Sequence, residues 1–328
     1  MTRQGTTCSI VIEWYNLTYA EHSRAARALA ALESQASALR APDAGPVSLD
    51  APLEVIVCFD ASLDEANVRS ALGGFGAHDR AVDARLLPVR DSCYTQLKNA
   101  GATVATGEIL VFLDSDVIPE DGWLAALLSA MQDPAVSAVV GNTYTDYTCG
   151  STYARAMALA WMFPLRDTSD ALTTASCFYA NNVAFRRDVF LAHPFADTPG
   201  LTHRPATLLV EELERAGITI WHAAAARAAH PPPNGPMHFF RRAMAGGRAR
   251  VLGAANAAER AVLRGLAADA RAMSWSCGRI LREWRRVGLR SWQVPAALII
   301  AASYHALFAA GALLTAAFPG FMRQRFVL

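Results

Sequence analysis

Two aspartates one residue apart, Asp114 and Asp116, are the residues whose spacing points most directly to chemistry. They directly follow Glu108–Leu113, an apolar run of the length of a strand. In an open parallel sheet, ligands bind beyond the carboxyl ends of the strands. Two carboxylates at such an end can hold a hard divalent cation, Mg²⁺ or Mn²⁺, that bridges two phosphates. An isolated pair of this kind is more often a turn and a helix cap, so its interpretation depends on the neighbouring residues.

Five further polar residues lie where other predicted elements reach the same edge of the sheet: Tyr15, Asn16, Asp60, Lys98 and Asn99. Asp60 is placed to recognise a base or a ribose, and the ring of Tyr15 could stack on a base. The ammonium of Lys98 could contact a phosphate. Each residue alone is explained as well by a cap, a turn or a surface position, but together they predict a nucleotide site.

The elements that position these residues alternate regularly along the first 141 residues. The predicted strands are Cys8–Ile12, Leu53–Phe59, Ala84–Val89, Glu108–Leu113 and Val136–Val140, and the predicted helices are Ala20–Leu39, Tyr94–Thr106 and Pro119–Met131. The strands are apolar throughout and do not alternate with polar residues. This pattern predicts an α/β fold whose mostly parallel sheet is covered by helices on both faces. Beyond Gly141 we predict helices at Tyr153–Met162 and Ala206–Ala216, and a strand at Ile218–His222.

Composition limits the function classes. The 328 residues suit one substantial domain with an appendage or two small domains, and the formal net charge of +1 argues against a nucleic acid as partner. The six cysteines form no CxxC pair and show no metal-ligand spacing. We therefore expect free thiols in a reducing compartment.

The C-terminal third differs in composition. Residues 239–290 contain twelve arginines and three acids, and Arg279–Val287 forms a basic amphipathic helical pattern. Val294–Phe318 then carries no formal charge. As a helix it would be about 37 Å long, against about 30 Å for the hydrocarbon core of a bilayer. It is predicted to be a transmembrane helix, and the alternative is a buried helix docked on the preceding domain. More arginines precede it than follow it, which places the preceding domain on the cytoplasmic side.

Four segments resemble family 2 glycosyltransferases of the GT-A fold. They are SIVIEWYN (Ser9–Asn16), VCFDAS (Val57–Ser62), LKNAGATVATGEILVFLDSDVIPEDGW (Leu97–Trp123) and ANNVAFRRDVF (Ala180–Phe190). The resemblance runs from about Ser9 to His230, and the block containing the two aspartates is its most specific part. It implies a Rossmann-like GT-A domain, a nucleotide-diphosphate-sugar donor, a divalent metal and inversion at the anomeric carbon.

The resemblance also assigns roles to single residues. Asp60 matches the acid that reads the base or ribose, and Asp114 matches a ribose or sugar contact that can share the metal. Asp116 matches the metal ligand. Asn182 matches an asparagine under the donor sugar, and His230 a further metal or phosphate contact.

One feature of the family is missing. Members usually carry an acid at the start of the helix corresponding to Ala206–Ala216, where it serves as general base for the acceptor hydroxyl. This sequence has His203 and Arg204 followed by Pro205 and Ala206. Three possibilities are therefore left open: His203, with Arg204 beside it, is the base; an acid of the middle segment, Asp146 or Asp167, is the base; or the transfer chemistry differs.

We expect three regions. Residues 1–237 form the catalytic domain, with a nucleotide-sugar half at about 1–141 and an acceptor half at about 142–237. Residues 238–292 form the basic amphipathic segment, and residues 293–328 form the transmembrane helix and a short tail.

The expected function is metal-assisted sugar transfer to a lipid-linked or cell-envelope glycan acceptor at a bacterial inner membrane. The Gln-x-x-Arg-Trp signature of processive synthases is absent, which favours addition of a single sugar. A nucleotidyltransferase would need a Gly-rich phosphate loop that Ser9–Asn16 lacks. A catalytically silent nucleotide-sugar sensor or scaffold is the alternative that the missing acid keeps open.

Overall fold

The structure is a computed structural model that describes residues 4–14, 22–42, 45–76, 80–90, 92–198, 204–253 and 258–326. The strands are β1 (Gln4–Thr6), β2 (Cys8–Glu13), β3 (Val47–Leu49), β4 (Leu53–Asp60), β5 (Val82–Val89), β6 (Ile109–Asp114), β7 (Ile118–Pro119), β8 (Ala138–Thr145), β9 (Leu172–Thr174), β10 (Asn182–Arg186) and β11 (Ile220–His230). The helices are α1 (His22–Arg40), α2 (Glu65–Ala71), α3 (Tyr94–Val104), α4 (Trp123–Ala130), α5 (Thr152–Ala160), α6 (Arg187–Ala192), α7 (Arg204–Arg215), α8 (Gly235–Gly253), α9 (Ala258–Glu283), α10 (Val294–Ala317) and α11 (Pro319–Arg325).

The main sheet has the strand order β5-β4-β2-β6-β10-β8-β11-β7, with β9 paired to β11. The first four strands in this order are parallel, so their carboxyl ends meet at one edge. In register, Glu13 lies opposite both Asp114 and Cys58, and Asp60 lies opposite Val89. The α/β fold with a parallel-rich sheet is confirmed. Strand β10 is antiparallel to β6 and β8 and is not among the predicted strands.

Both faces of the sheet are buried, as the uniformly apolar strands predict. Ile10 and Ile12 point into one core cluster, which includes residues of α1 and α4. Val11 and Phe112 point into another, which includes residues of α3, α6 and α7. Helices therefore cover the sheet on both sides.

The helix predicted to open at Pro119 begins four residues later, at Trp123. Ile118 and Pro119 instead form the short strand β7, which pairs with Ala229 and Ala228 of β11. Proline is tolerated here because β7 is the last strand in the sheet order, where a missing N–H costs no ladder hydrogen bond. The strand predicted at Ile218–His222 begins two residues later, at Ile220, and continues to His230.

Contacts group the chain into two compact units. The sheet unit comprises Met1–Thr143, Arg166–Thr198 and His203–Ala229. The helical unit comprises Tyr144–Leu165, Pro199–Thr202 and His230–Leu328. This grouping differs from the expected division at residue 237, because α5 and its flanks belong with the C-terminal helices.

Within the helical unit, α10 packs against α5, α8 and α9. The approach of α8 to α10 is close, since a Cβ added to Gly247 would lie 2.0 Å from the carbonyl oxygen of Phe308. Ala297 and Ala301 of α10 share a buried cluster with Ile280 of α9. By length and mean hydropathy, 1.9 over its most apolar window, Ser291–Ala317 could cross a membrane, and 28% of that window is buried.

Candidate active site

Helix α3 brings the only lysine of the chain beneath the carboxyl edge of the sheet. Leu97, Lys98, Gly101 and Ala102 form the buried face of this helix. A Cβ added to Gly101 would lie 2.4 Å from Val11 Cγ1, so glycine permits the close approach of α3 to the sheet. That approach allows the Lys98 side chain to reach the end of β6.

Lys98 is held in a buried ion pair with Asp114. Its Nζ donates to Asp114 Oδ1 at 2.7 Å and to the carbonyl oxygen of Ala180 at 2.8 Å, and its side chain is 0% exposed. The hydroxyl of Tyr94 donates to the same carboxylate, at 2.7 Å from Oδ1. This placement does not support the expected direct contact of Lys98 with a phosphate. The residue instead fixes the charge and orientation of Asp114.

Asp116 lies in the turn that follows β6 and is 4% exposed. Among the described residues, no three His, Cys, Asp or Glu side chains converge as a complete metal site. Mg²⁺ and its analogues are usually held by one or two carboxylates together with substrate phosphates and water. The arrangement here fits that mode. Lys98 and Tyr94 both bind the carboxylate of Asp114.

Asp60 ends β4 at the same edge and is fixed by two serines. Its Oδ1 accepts from the amide of Ser62 at 2.8 Å, and its Oδ2 accepts from the amide and hydroxyl of Ser92 at 3.1 and 3.2 Å. Partial burial acts to raise the pKa of Asp60, but these hydrogen bonds outweigh it and lower the pKa below the usual value. The carboxylate is thus held ionised and oriented, as recognition of a ribose or base amine requires.

Asn99 and Asn182, both predicted to bind the donor, are bonded to protein groups. Asn99 exchanges hydrogen bonds with the backbone of Phe195, donating at 2.8 Å and accepting at 3.2 Å. The buried Asn182 accepts from Trp123 Nε1 at 2.8 Å and donates to the carbonyl oxygen of Ala226 at 3.2 Å. These contacts give both residues a role in joining elements around the site.

Sequence reasoning missed Glu13, an acid with no exposed surface at the end of β2. It is the register partner of Asp114, so a second buried carboxylate lies beside the first. The sequence could have identified Glu13, because this glutamate ends an otherwise apolar strand at the same edge of the sheet. Nearby, burial raises the pKa of Cys58 to about 12, which excludes this thiol as a nucleophile at neutral pH.

The other predicted residues fall in different places. Tyr15, Asn16 and His203 lie outside the described residues, as does the side chain of Arg204, whose backbone begins α7. His230 belongs to the helical unit, where its Nδ1 lies 2.8 Å from the carbonyl oxygen of Pro231. His230 is 5% exposed, and its ring packs against Trp161 and Phe163, with centroid distances of 5.0 and 4.7 Å.

The two acids considered as general bases are engaged in local turns. Asp146 Oδ1 accepts from the amide and hydroxyl of Thr148, at 2.8 and 2.6 Å. Asp167 Oδ1 accepts from the amide of Ser169 at 3.0 Å. Neither contact differs from an ordinary side-chain turn, so neither acid is singled out as a base.

The sequence profile of Glycosyl transferase family 2 matches residues 17–192, more than half of the chain. The chain belongs to this family. It is therefore a glycosyltransferase, as the Asp114–Asp116 block indicates. Among curated proteins, the Glucosyl-dolichyl phosphate glucuronosyltransferase of Haloferax volcanii is 25% identical over 143 residues, which cover 43% of this chain and 44% of that protein. The match thus spans less than half the length of this relative.

Two solved structures share the fold. The mannosyltransferase PcManGT from Pyrobaculum calidifontis, in complex with GDP-Man and Mn²⁺, gives a TM-score of 0.55 at 16% identity, covering 97% of this chain and 88% of that one. S. aureus TarS 1-349, in complex with UDP-GlcNAc, gives 0.51 at 11% identity, covering 94% and 91%. At these identities the likeness establishes the GT-A fold alone.

Proposed function

We propose that this glycosyltransferase takes a sugar from a nucleotide-diphosphate donor bound at the carboxyl edge of the sheet unit and adds it to a lipid-linked or cell-envelope glycan. One observation gives the main support for a donor site at this edge. At the carboxyl edge of the sheet, Asp116 follows β6 two residues after Asp114, whose charge is neutralised by the buried Lys98. We propose Asp116 as the metal ligand, because it follows β6 at this edge and matches the metal ligand of the family that the sequence resembles.

Each residue at this edge has a distinct task. Asp60, ionised and fixed by Ser62 and Ser92, recognises the ribose or base of the donor. Asp116 would hold Mg²⁺ or Mn²⁺, which when bound offsets the charge that develops on the departing diphosphate. Asp114 maintains the turn geometry and can accept from a donor hydroxyl. We propose an inverting transfer, as is usual in this family, with His203 or an acid of the middle segment as the general base.

Two observations support the proposal of a lipid-linked acceptor: the name of the relative from Haloferax volcanii and the exposed apolar side chains of the helical unit. The name of that relative includes a sugar carried on dolichyl phosphate, which supports an acceptor linked to a lipid phosphate. In this chain, Trp292, Ile299 and Phe318 are exposed on or beside α10, with relative exposures of 60–70%. Exposed side chains of this size and number are typical of a membrane-contacting face.

The packing of α10 bears on whether it spans the bilayer. Near its middle, Phe308 lies under the guanidinium of Arg250, 5.3 Å from its ring centroid, and Arg250 is paired with Asp269. A spanning α10 would carry this ion pair into the hydrocarbon, which is costly. We therefore propose that the helical unit lies in the membrane interface, with the exposed side of α10 toward the lipid. We place it on the cytoplasmic face of a bacterial inner membrane, where nucleotide sugars are supplied and the arginines before α10 meet anionic lipid.

Replacement of the metal ligand tests this function. Asp116→Ala is expected to lower kcat/KM by about 1,000-fold or more, equivalent to about 4 kcal/mol of transition-state stabilisation. The measurement is hydrolysis of UDP-, GDP- and dTDP-sugars by the full-length protein in detergent, with Mn²⁺ and with EDTA. Asp121→Ala is the matched control, because Asp121 is an exposed acid five residues further along. Wild-type turnover in Asp116→Ala would eliminate the proposed metal ligand.

A further inference from the structure

A cavity of about 740 Å³ is lined only by residues of the helical unit. It is lined by the segment after α5, by one face of α9 and by the middle of α10. Its volume falls within the ~300–1,000 Å³ range of sites that bind small molecules. Nothing in the donor chemistry requires a second pocket of this size.

The wall of the cavity is largely aromatic. Trp161 and Phe163 line it from the segment after α5, Trp275 from α9, and Tyr304 and Phe308 from α10. The rings of Trp161 and Phe163 meet edge to face with centroids 5.3 Å apart, so this part of the wall is rigid. Such a wall offers apolar surface against which a lipid chain can pack.

Charged groups line the cavity along α9 and in the turn after it: Asp269, which pairs with Arg250, and Arg279, Glu283 and Arg286. Arg279 and Arg286 both face Glu283, at 3.7 and 3.5 Å, so one acid is shared by two guanidinium groups. One positive charge is left over at this cluster. The guanidinium of Arg279 also lies 5.4 Å from the ring centroid of Trp275, at the junction of the charged and aromatic surfaces. Arginine is well suited to bind phosphate through its planar fork of donors.

A second polar feature explains the histidine inside the apolar helix. His305 lines the cavity, and its Nε2 lies 3.0 Å from the hydroxyl of Ser276 on α9. The pair satisfies two polar groups of the wall that would otherwise face apolar surface. The lining is therefore apolar at the aromatic rings and polar along α9, which is the arrangement of a site for an amphiphile.

We propose that this cavity binds one lipid phosphate, with its apolar chain against the aromatic wall and its phosphate at Arg279 and Arg286. This inference rests on the proposed function, because it assigns to the helical unit the lipid portion of the acceptor. The ligand is defined by its chemistry: a single-chain lipid that ends in a phosphate or a phosphate-linked sugar. Retention of the lipid tail in a protein pocket would hold a membrane-embedded acceptor at a fixed place on the enzyme.

The test uses farnesyl phosphate as a short, soluble probe, titrated into the full-length protein in detergent by calorimetry. Ala272 lines the cavity and is exposed, so Ala272→Trp should fill the cavity without disturbing a core. We expect at least a tenfold loss of affinity. Ser274→Trp, on an exposed position of α9 outside the cavity, is the matched control and should bind as the wild type does.

The headgroup is tested separately. Arg286→Ala should weaken farnesyl phosphate about fivefold and leave farnesol unchanged, whereas Arg282→Ala, exposed on α9 and outside the cavity, should change neither. Inorganic phosphate alone should not compete at equal concentration. Equal losses for farnesyl phosphate and farnesol, or effective competition by phosphate, would overturn the assignment of an amphiphile.

Failure of the cavity proposal can be told apart from failure of the proposed function. Donor binding should be unaltered in Ala272→Trp, whereas Asp116→Ala should lose donor binding and keep binding of farnesyl phosphate. If Ala272→Trp does not fold, quenching of Trp275 by the probe in the wild type, absent in Trp275→Phe, tests the same site. Wild-type affinity in Ala272→Trp, or no quenching at saturating probe, would refute the cavity as a lipid site.

Discussion

The sheet unit and the helical unit differ in where they place charge and where they place apolar surface. Among the described residues, ten of the exposed large hydrophobic side chains belong to the helical unit and five to the sheet unit. The most exposed of them are Trp292 at 70% in the helical unit and Leu172 at 44% in the sheet unit. The sheet unit instead buries Glu13, Lys98 and Asp114 at one edge of its sheet.

The two units have surfaces suited to different surroundings, one to water and polar ligands and the other to apolar groups. Burying a charged side chain costs free energy. Buried charges nevertheless occur at sites where oriented carboxylates bind a polar ligand. Exposing large apolar side chains is a liability in water and favourable against lipid. This difference is the one expected if the sheet unit binds the donor and the helical unit contacts lipid, as proposed above.

The largest effect on this comparison is expected from the buried lysine. Lys98→Met would leave the Asp114 carboxylate buried and unneutralised, which should lower the free energy of unfolding by about 3–5 kcal/mol. Urea denaturation of the wild type and the variant measures this directly. The double variant Lys98→Met/Asp114→Asn should recover part of the loss. A loss below about 1 kcal/mol in the single variant would mean that the pair is not buried as described.

The apolar face of the helical unit is tested next. Trp292→Ser with Ile299→Ser should reduce binding to phosphatidylglycerol/phosphatidylcholine vesicles at least about tenfold, since each buried side chain contributes about 1.5–3 kcal/mol. Sedimentation with vesicles gives the bound fraction. Leu63→Ser with Leu172→Ser, the corresponding change on the sheet unit, should leave binding unaltered. If both double variants lost vesicle binding equally, the proposed difference between the two units would be wrong.

A smaller effect is expected at the donor-recognition residue. Asp60→Asn should raise KM for the nucleotide sugar about tenfold while changing kcat less than about twofold, because uniform binding is removed. Steady-state kinetics with the preferred donor separate the two constants. A large fall in kcat at unchanged KM would place Asp60 among the groups that act on the reacting bond.

The smallest effect concerns the opposite edge of the sheet, away from the site. Glu54 accepts from the hydroxyl of Ser9 and the amide of Thr106 and pairs with Arg85 at 2.7 Å. Burial acts to raise its pKa, but these partners prevail and lower the pKa. The resulting stability is present above the unfolded pKa of about 4.3 and is lost as pH falls through the lower folded pKa.

At pH 7 we expect Glu54→Gln to cost about 1 kcal/mol, and this difference should vanish at the acid end of the range. Thermal unfolding measured from pH 7 to pH 3 shows both parts of the effect. Glu65→Gln, which removes an exposed acid paired only with Arg69 four residues away, is the control and should show little dependence. A Glu54→Gln difference that grows on acidification would have the wrong sign.

Much of the sheet and its edge could be predicted from the sequence, because apolar strands and polar residues at their exits are local patterns. The burial of Lys98 could not, since a lone lysine on a helix is normally solvated and its partner lies 16 residues away. The roles of Asn99 and Asn182 were also inaccessible, because their partners are 96 and 44–59 residues distant. The strand β7 at Pro119 depends likewise on pairing with a distant strand.

The most direct test of the central claim is thermal unfolding of the full-length protein with UDP-, GDP- and dTDP-sugars, each with Mn²⁺ and with EDTA. At a ligand concentration of about 100 times Kd, binding adds about 2.7 kcal/mol, which corresponds to a rise in Tm of about 5–10 °C. We predict such a rise for one class of nucleotide sugar, only with Mn²⁺, and its absence in Asp116→Ala. An equal rise in EDTA, or the same rise in Asp116→Ala, would contradict a metal-dependent donor site at this edge of the sheet.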